Sequence, residues 1–364
     1  MIAGPAAPRD TVGPAGKVWA GRRVANRVPR FDVPFSVLDL AVIGAGSHAG
    51  AALNGTIELA KRAEQLGYQR FWVAEHHNMP GIASSAPPVL IAHLAAATST
   101  LRVGSGGVML PNHAALVVAE QFGMLEALHP GRVDLGIGRA PGTDPVTAQA
   151  LRRSANGLSV DDFPDELTAL MGYFTGPSER GVQAVPALGN PPDVWLLGSS
   201  GYSAQVAGLL GLPFAFAHHF SAANTLPALA LYRERFRPSA RLKEPYAMVC
   251  ASVVAAEDDE RARYLAGPGG LSFLRLRQGN PGLMPTPEEA AAYEYSEVEK
   301  AFVADRMSNQ IIGGPDTVLK GITSLLEQTQ ADELMVATMV HDPADGRRSY
   351  ELVAELAELP GAGS

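Results

Sequence analysis

The chain has 364 residues, of which 46% are hydrophobic and 18% are charged, and its formal net charge is −8. This charge argues against nucleic acid or an anionic membrane surface as the main partner, and no apolar run approaches the roughly 18–20 residues that span a bilayer. A single cysteine, Cys250, excludes intrachain disulfides and cysteine-rich metal sites, so we expect a cytoplasmic protein in which this thiol belongs to the core.

The first 34 residues differ in composition from the rest of the chain. They are rich in Gly, Pro, Arg and Ala and show no periodicity, which predicts a disordered extension or a start codon placed too early. No apolar segment follows Arg22-Arg23, so we do not interpret this pair as a twin-arginine export signal. We expect residues 35–364 to form a single domain.

Strand-like and helix-like segments alternate from Val37 onward. Gly67 is a natural helix stop, and Pro87-Pro88 is a natural helix start. The predicted strands are 37–44, 71–74, 101–110, 132–138, 193–198, 212–219, 246–255 and 333–340, and the predicted helices are 53–67, 89–98, 116–128, 203–210, 226–236, 258–265 and 316–329. Eight largely apolar strands separated by helices predict an α/β protein with a (β/α)8 TIM barrel, and a doubly wound open sheet is the alternative.

Residues 267–314 do not fit this alternation. The segment is longer than an ordinary connection and has several glycines and prolines near its start. Its place before the last helix and strand predicts a lid over the active-site face of the barrel. Arg275 and Arg277 are candidate lid cations. The alternative is a surface embellishment with its own helix at 287–306, in which these arginines are solvated surface charges.

The second predicted strand ends in a short polar segment. The apolar residues 71–74 run directly into Glu75-His76-His77-Asn78, whose side chains titrate or hydrogen-bond. Such groups at the carboxyl end of a barrel strand face the active site, which makes them candidate catalytic residues. The alternative is a histidine pair that only caps a loop. Another pair, His218-His219, follows the sixth strand.

A second set of signals indicates a phosphorylated cofactor. The turn at 198–203 leads from a strand into a helix and offers hydroxyls and free backbone N–H groups, although serine-rich turns also cap helices. Arg139 follows the fourth strand, where a guanidinium usually meets an anion. Glycines at 104–107 interrupt the third strand, as a flat ring lying against the backbone would require. No carboxylate–histidine set has convincing metal-ligand spacing, so we expect no metal.

With these features, the sequence resembles the bacterial luciferase-like flavin-dependent monooxygenases, which are a (β/α)8 family. Within this family it is similar to the single-subunit luciferase family oxidoreductases. The resemblance covers about residues 35–357. The matching segments are SVLDLAVIG, FWVAEHHNM, RVGSGGVMLPNH, VAEQFGMLEALHPGRVDLGIGRAPGTD, VWLLGSSGYSA, GLPFAFAHHF and DELMVATMVHD.

The resemblance implies roles for individual residues. The family's catalytic histidine falls on His76, and a non-prolyl cis peptide that supports the flavin falls on Gly106–Gly107. The luciferase cysteine falls on Gly138, so any role of that thiol is absent. The implied catalytic residues are His76, Glu75 and His77. The implied cofactor residues are Gly106, Gly107, Arg139, Ser199, Ser200, Gly201, Tyr202 and Ser203, with Arg152 or Arg153 as a second cation. The implied substrate or lid residues are Asn78, His113, His218, His219, Arg275 and Arg277.

The resemblance also implies the reaction. Reduced FMN would be a dissociable cosubstrate, supplied by a separate NAD(P)H:flavin reductase, and the chain lacks the G-x-G-x-x-G fingerprint of a dinucleotide site. O2 would react through a C4a-hydroperoxyflavin to oxygenate a small, largely apolar substrate, with His76 handling the proton. We also expect a homodimer. The alternatives are an F420-dependent hydride-transfer enzyme on the same fold and a non-catalytic flavin-binding protein.

Overall fold

The computed structural model describes residues 30–140, 144–151, 162–178 and 181–362. Most of the predicted N-terminal extension, residues 1–29, lies outside the described residues, as do Arg152 and Arg153. No helix in the described ranges is both long and apolar enough to cross a membrane.

Eight parallel strands form a closed barrel. Each strand pairs with its neighbour along the chain, and the last, β10, pairs with both β8 and β1. Two short strands lie off this ring, because β4 pairs with β5 and β9 pairs with the end of β8. The TIM-barrel prediction is therefore confirmed and the open sheet is wrong. The strands are β1 (Phe35–Asp39), β2 (Arg70–Val73), β3 (Arg102–Ser105), β4 (Val108–Met109), β5 (Val133–Gly138), β6 (Asp193–Gly198), β7 (Phe214–Phe216), β8 (Ala247–Ala255), β9 (Ile311–Gly313) and β10 (Glu333–Ala337).

Helices surround the barrel. The left-handed Gly67, with φ of 88°, ends the first helix as predicted, and Pro87 opens the second. The helices are α1 (Ala49–Leu66), α2 (Pro87–Ala97), α3 (Ala115–Leu128), α4 (Pro145–Leu151), α5 (Phe163–Tyr173), α6 (Gly201–Leu210), α7 (Thr225–Arg235), α8 (Asp259–Arg277), α9 (Pro287–Ala292), α10 (Glu297–Ser308), α11 (Pro315–Thr329) and α12 (Pro343–Leu356). The predictions did not include α4, α5 or α12.

Several predicted boundaries are wrong. The strand predicted at 37–44 ends at Asp39, because Ala41 takes a positive φ of 51° and turns the chain across the barrel mouth. The helix predicted at 258–265 continues to Arg277, although it contains Pro268. Buried leucines on both sides of that proline, Leu265 and Leu271, supply the packing that offsets its weak helix propensity. The extra helix predicted at 287–306 is divided into α9 and α10.

The core has two apolar layers and a buried ion cluster at one end of the barrel. Large apolar residues fill the space between strands and helices, whereas a smaller cluster that includes Trp72, Trp195 and Cys250 fills the barrel interior. At the amino ends of the strands, Arg70 donates to Glu333 at 2.7 Å and to Asp134 at 2.7 Å. This buried ion cluster lies at the end of the barrel opposite the candidate site.

The segment between α8 and β9 lies against the barrel mouth. The Met284 N–H donates to the Ile43 carbonyl at 2.9 Å, and the Ala45 N–H donates to the Met284 carbonyl at 2.8 Å. The loop after β1 also pairs with the loop after β2, through the Ile43 N–H and the Gly81 carbonyl at 2.9 Å. Three loops therefore form one hydrogen-bonded rim, which positions α9 and α10 over this side of the mouth.

Candidate active site

Glu75 is the centre of a hydrogen-bond network at the end of β2. Its side chain is fully buried. The Nε2 atoms of His77 and His113 lie 2.9 and 2.8 Å from Oε1, and the Met109 N–H donates to Oε2 at 3.1 Å. Because an ionised carboxylate only accepts, both histidines carry a proton on Nε2. Glu75 therefore orients His77 and His113.

These contacts keep Glu75 ionised. Burial alone would raise the pKa of this carboxyl. The opposite effect is larger: the pKa is lowered by the hydrogen bond and charge of His113, by the hydrogen bond from His77 and by the Met109 N–H. The net pKa therefore lies below its ordinary value. Glu75 thus connects the imidazoles of His77 and His113. His113 could not be connected with Glu75 from local sequence because it comes from the turn after β4.

His76 directly follows Glu75 at the end of β2. It is half-buried, and its backbone N–H donates to the Ser84 carbonyl at 3.0 Å. Its imidazole is close enough to His219, which follows β7, to contribute to lowering the pKa of that residue. The structure thus brings together the two histidine pairs predicted from the strand ends.

His218 and His219 are neutral at physiological pH. Burial lowers the pKa of His219 to about 4, with further lowering by Arg306, His218 and His76. Its Nδ1 lies 3.0 Å from the Cys250 carbonyl, so Nδ1 carries the proton and Nε2 is an acceptor. Burial also lowers the pKa of His218, whose Nδ1 lies 2.8 Å from the Thr225 hydroxyl. Cys250 itself is buried and its pKa is raised by burial, as expected for a core thiol.

The carboxyl ends of β5 and β6 form a candidate anion site. These strands are neighbours, so Arg139 lies beside the turn that begins α6, and its guanidinium carbon is 4.1 Å from the Tyr202 ring centroid. Ser200 is the N-cap residue of α6 but makes no capping hydrogen bond. The capping alternative is therefore wrong for this hydroxyl.

Ser203 completes this site. It is 5% exposed, and it fits there because a Cβ on Gly198 would lie 2.5 Å from the Ser203 Cβ. Within the described ranges its hydroxyl has no hydrogen-bond partner, and neither has that of Ser200. Ser199 is exposed, and Gly201 and Tyr202 form the first residues of α6. Two free hydroxyls, a guanidinium and a helix N-terminus together suit a phosphate group.

The glycines of the third strand lie close to protein neighbours. The Gly106–Gly107 peptide is cis, as predicted. A Cβ on Gly106 would lie 2.6 Å from Leu38 Cδ1, and a Cβ on Gly107 would lie 2.7 Å from the Gly136 carbonyl. A Cβ on Gly104 would likewise lie 2.6 Å from the Asp134 Cβ. A larger residue would therefore clash with backbone at Gly104 and Gly107, and the role of Gly106–Gly107 in supporting a flavin stays a prediction.

The remaining predicted residues lie at the edges of the site. Asn78 is exposed, has a positive φ of 54° and donates to Asp144 Oδ2 at 3.1 Å, which ties it to the start of α4. Arg275 is half-buried near Tyr295, and Arg277 is exposed at the end of α8.

The cation of this segment that reaches the mouth is Arg306 of α10, which sequence reasoning missed. Its Nη1 donates to the His219 carbonyl, and its guanidinium lies 4.5 Å from the Phe273 ring centroid and 5.8 Å from that of Phe220. Its position depends on how α10 packs on the barrel, which no local pattern reveals.

The Glu75 network also has the composition of a metal site. Among the described residues, Glu75, His77 and His113 are the one group whose three ligand atoms all lie within 4.8 Å of one another. Sequence spacing did not indicate this group. However, the contacts are ring N–H to carboxylate hydrogen bonds, which already satisfy these atoms, so the absence of a metal stays a prediction.

Comparison with known proteins identifies the family. The sequence profile of the luciferase-like monooxygenases matches residues 33–333, and the chain belongs to this family. It is 50% identical to the uncharacterised protein YvbT of Bacillus subtilis (90% of this chain, 97% of the relative) and 48% identical to a luciferase-like monooxygenase of Escherichia coli K12 (90% and 97%). It is also 31% identical to the N-acetyl-S-alkylcysteine monooxygenase of Bacillus subtilis (89% and 98%).

Solved structures share the fold. Apo-MsnO8 superposes with a TM-score of 0.83 at 38% identity, covering 90% of this chain and 99% of that one. Two more distant structures show the fold alone. One is the FMN complex of the oxygenating constituent of a Pseudomonas putida 3,6-diketocamphane monooxygenase (TM-score 0.69, 20% identity, 90% and 98% covered), and the other is an F420-dependent tetrahydromethanopterin reductase of Methanopyrus kandleri (0.63, 16%, 90% and 98%).

Proposed function

We propose that the protein is an FMN-dependent monooxygenase that transfers an oxygen atom from O2 to a small organic substrate at the carboxyl end of the barrel. The observation that carries this proposal is the anion site made by Arg139, Ser200, Ser203 and the N-terminus of α6. A phosphate monoester would accept hydrogen bonds from all of these groups. Membership of the monooxygenase family supplies the class of reaction.

The chain's own residues would bind the cofactor and manage protons. Reduced FMN, when bound, supplies the electrons that activate O2. Arg139 and the two serines would hold its phosphate, which fixes the cofactor at the β5 and β6 ends of the mouth. His76 is the candidate that takes and returns a proton there, because it follows β2 at the carboxyl end of the barrel and lies close enough to the neutral His219 to affect its pKa.

Exclusion of water is the second requirement. We propose that residues 278–310 form the lid, a shorter range than predicted because α8 continues to Arg277. The rim hydrogen bonds of Met284 and the contact of Arg306 with the β7 loop hold this segment on the mouth. Opening would break these contacts, and closure would protect the reaction from solvent. A separate NAD(P)H:flavin reductase would supply reduced FMN, and we propose a homodimer.

An anaerobic titration tests the cofactor assignment. Wild-type protein is titrated with reduced FMN, oxidised FMN and reduced F420, and we expect reduced FMN to bind most tightly. Arg139→Ala should weaken reduced-FMN binding by about tenfold or more, given that charge-assisted hydrogen bonds contribute roughly 1.5–3 kcal/mol. The control is Arg235→Ala, since Arg235 lies at the exposed end of α7. Tighter binding of F420 would favour the hydride-transfer alternative, and equal affinity in a folded Arg139→Ala variant would contradict the phosphate site.

A further inference from the structure

Arg306 is a half-buried cation at the mouth whose charge is not neutralised. Within the described ranges it makes no ion pair with a carboxylate, whereas buried Arg70 and Arg102 are both paired with Asp134. Burial lowers the pKa of Arg306, but a guanidinium stays charged at any physiological pH. A desolvated cation without a counter-ion favours a negatively charged ligand.

The surroundings of Arg306 leave donors available for such a ligand. A guanidinium has five N–H groups, and the His219 carbonyl accepts from Nη1. The ring centroids of Phe273 and Phe220 lie 4.5 and 5.8 Å from the guanidinium carbon. Phe220 is 59% exposed and Phe273 stacks on Phe302, with centroids 5.6 Å apart, so an apolar wall adjoins the cation. His219 is neutral there and adds an acceptor without adding a negative charge.

We propose that Arg306 binds the anionic group of the substrate, and that the substrate is a carboxylate with an apolar body lying along Phe220 and Phe273. This inference rests on the proposed function, since it names the substrate class for the same barrel mouth. It separates two tasks between two cations: Arg139 holds the cofactor phosphate and Arg306 holds the substrate anion. The competing interpretation is that Arg306 only fastens α10 to the β7 loop.

Binding of matched probes tests the proposal without any turnover. The probes are octanoate and octanamide, which have the same length and differ in charge, and their affinities are measured by calorimetry on the full protein without FMN. Wild type should bind octanoate more tightly than octanamide, by about tenfold or more. Arg306→Gln keeps a donor for the His219 carbonyl but loses the charge, so it should abolish this preference. Arg306→Lys keeps the charge and should retain part of it.

Two other cations provide matched controls. Lys300→Gln removes an exposed cation from the same helix as Arg306 and Arg261→Gln removes one from α8; both should leave the preference for octanoate unchanged, and all variants should bind reduced FMN as wild type does. The proposal is overturned by equal or undetectable binding of both probes to wild type, by a preference that persists in Arg306→Gln, or by its loss in a control variant. Weakened reduced-FMN binding in Arg306→Gln and Arg306→Lys would also overturn it, by assigning Arg306 to the cofactor site. Failure of wild type to bind reduced FMN would instead contradict the proposed function.

Discussion

Replacing Glu75 by glutamine tests the network at the centre of the candidate site. The wild-type carboxylate accepts from two imidazoles and one backbone N–H, and each such bond to a charged group contributes roughly 1.5–3 kcal/mol. The amide keeps one acceptor oxygen but turns an N–H group towards a neighbouring donor. We therefore expect Glu75→Gln to lower the free energy of unfolding by about 3 kcal/mol at pH 7, which corresponds to roughly 4 °C in Tm for a chain of this length.

The effect should depend on pH in a defined direction. Burial raises the Glu75 pKa but the histidine and backbone hydrogen bonds outweigh it, so the folded-state pKa lies below the ordinary 4.5. A carboxyl with a depressed pKa contributes its full stability above 4.5 and loses it as the pH falls through the folded-state pKa. The difference in stability between wild type and Glu75→Gln should therefore begin to narrow as the pH falls below 4.5, and it should go on narrowing until the pH is below the folded-state pKa.

Urea titrations at pH 7 and at pH 4 provide the measurement. The control is Glu297→Gln, whose side chain is 90% exposed and pairs only with Lys300, so its effect should be small at both pH values. Equal stability of wild type and Glu75→Gln at pH 7 would refute the reasoning. So would a difference that stays constant down to pH 4.

Four further outcomes follow from the same structure. His76→Ala should bind reduced FMN normally but lose most product formation, whereas His77→Ala should be milder; equal product yields from wild type and His76→Ala in a coupled assay would exclude the catalytic role. Asp134→Asn should lower the free energy of unfolding by roughly 1.5–3 kcal/mol, because it weakens the charge-assisted hydrogen bonds from Arg70 and Arg102, which keep Glu333 and Asp193 as partners, and a change below about 1 kcal/mol by urea titration would contradict this. Replacing residues 278–310 by a short linker should preserve reduced-FMN binding but raise H2O2 released per NADH consumed; unchanged coupling would show that the segment is not a lid. Dialysis against EDTA should leave activity unchanged, and a loss restored by one divalent metal would show that the Glu75 group holds a cation.

The barrel could be predicted because the signals that define it are local. Each strand is a short apolar run, and residues such as Gly67 and Pro87 mark helix ends by backbone chemistry alone. Strand ends were less predictable, since apolar character continues past Asp39 and Phe216 although the chain has already turned away from the barrel. The continuation of α8 through Pro268 was not predictable either, because tertiary packing decides it.

The candidate site was predictable residue by residue but not in its connections. His76, Arg139 and the serine turn were found because they follow strands, and the ends of parallel strands meet at one face. The pairing of Glu75 with His113 required the tertiary structure, and so did the position of Arg306. The glycines at 104–107 show what sequence cannot separate: Gly104 and Gly107 lie close to protein neighbours, which only the structure reveals, and the contact of this segment with a flat ring stays a prediction.

A crystal structure of the protein soaked with FMN would test the central claim most directly. The account predicts the phosphate within hydrogen-bond distance of the Arg139 guanidinium and the Ser200 and Ser203 hydroxyls, at the N-terminus of α6. It also predicts that the flavin ring lies in the barrel mouth on the same side as His76. A phosphate bound by Arg306 instead, or FMN bound away from the carboxyl ends of β5 and β6, would contradict the account.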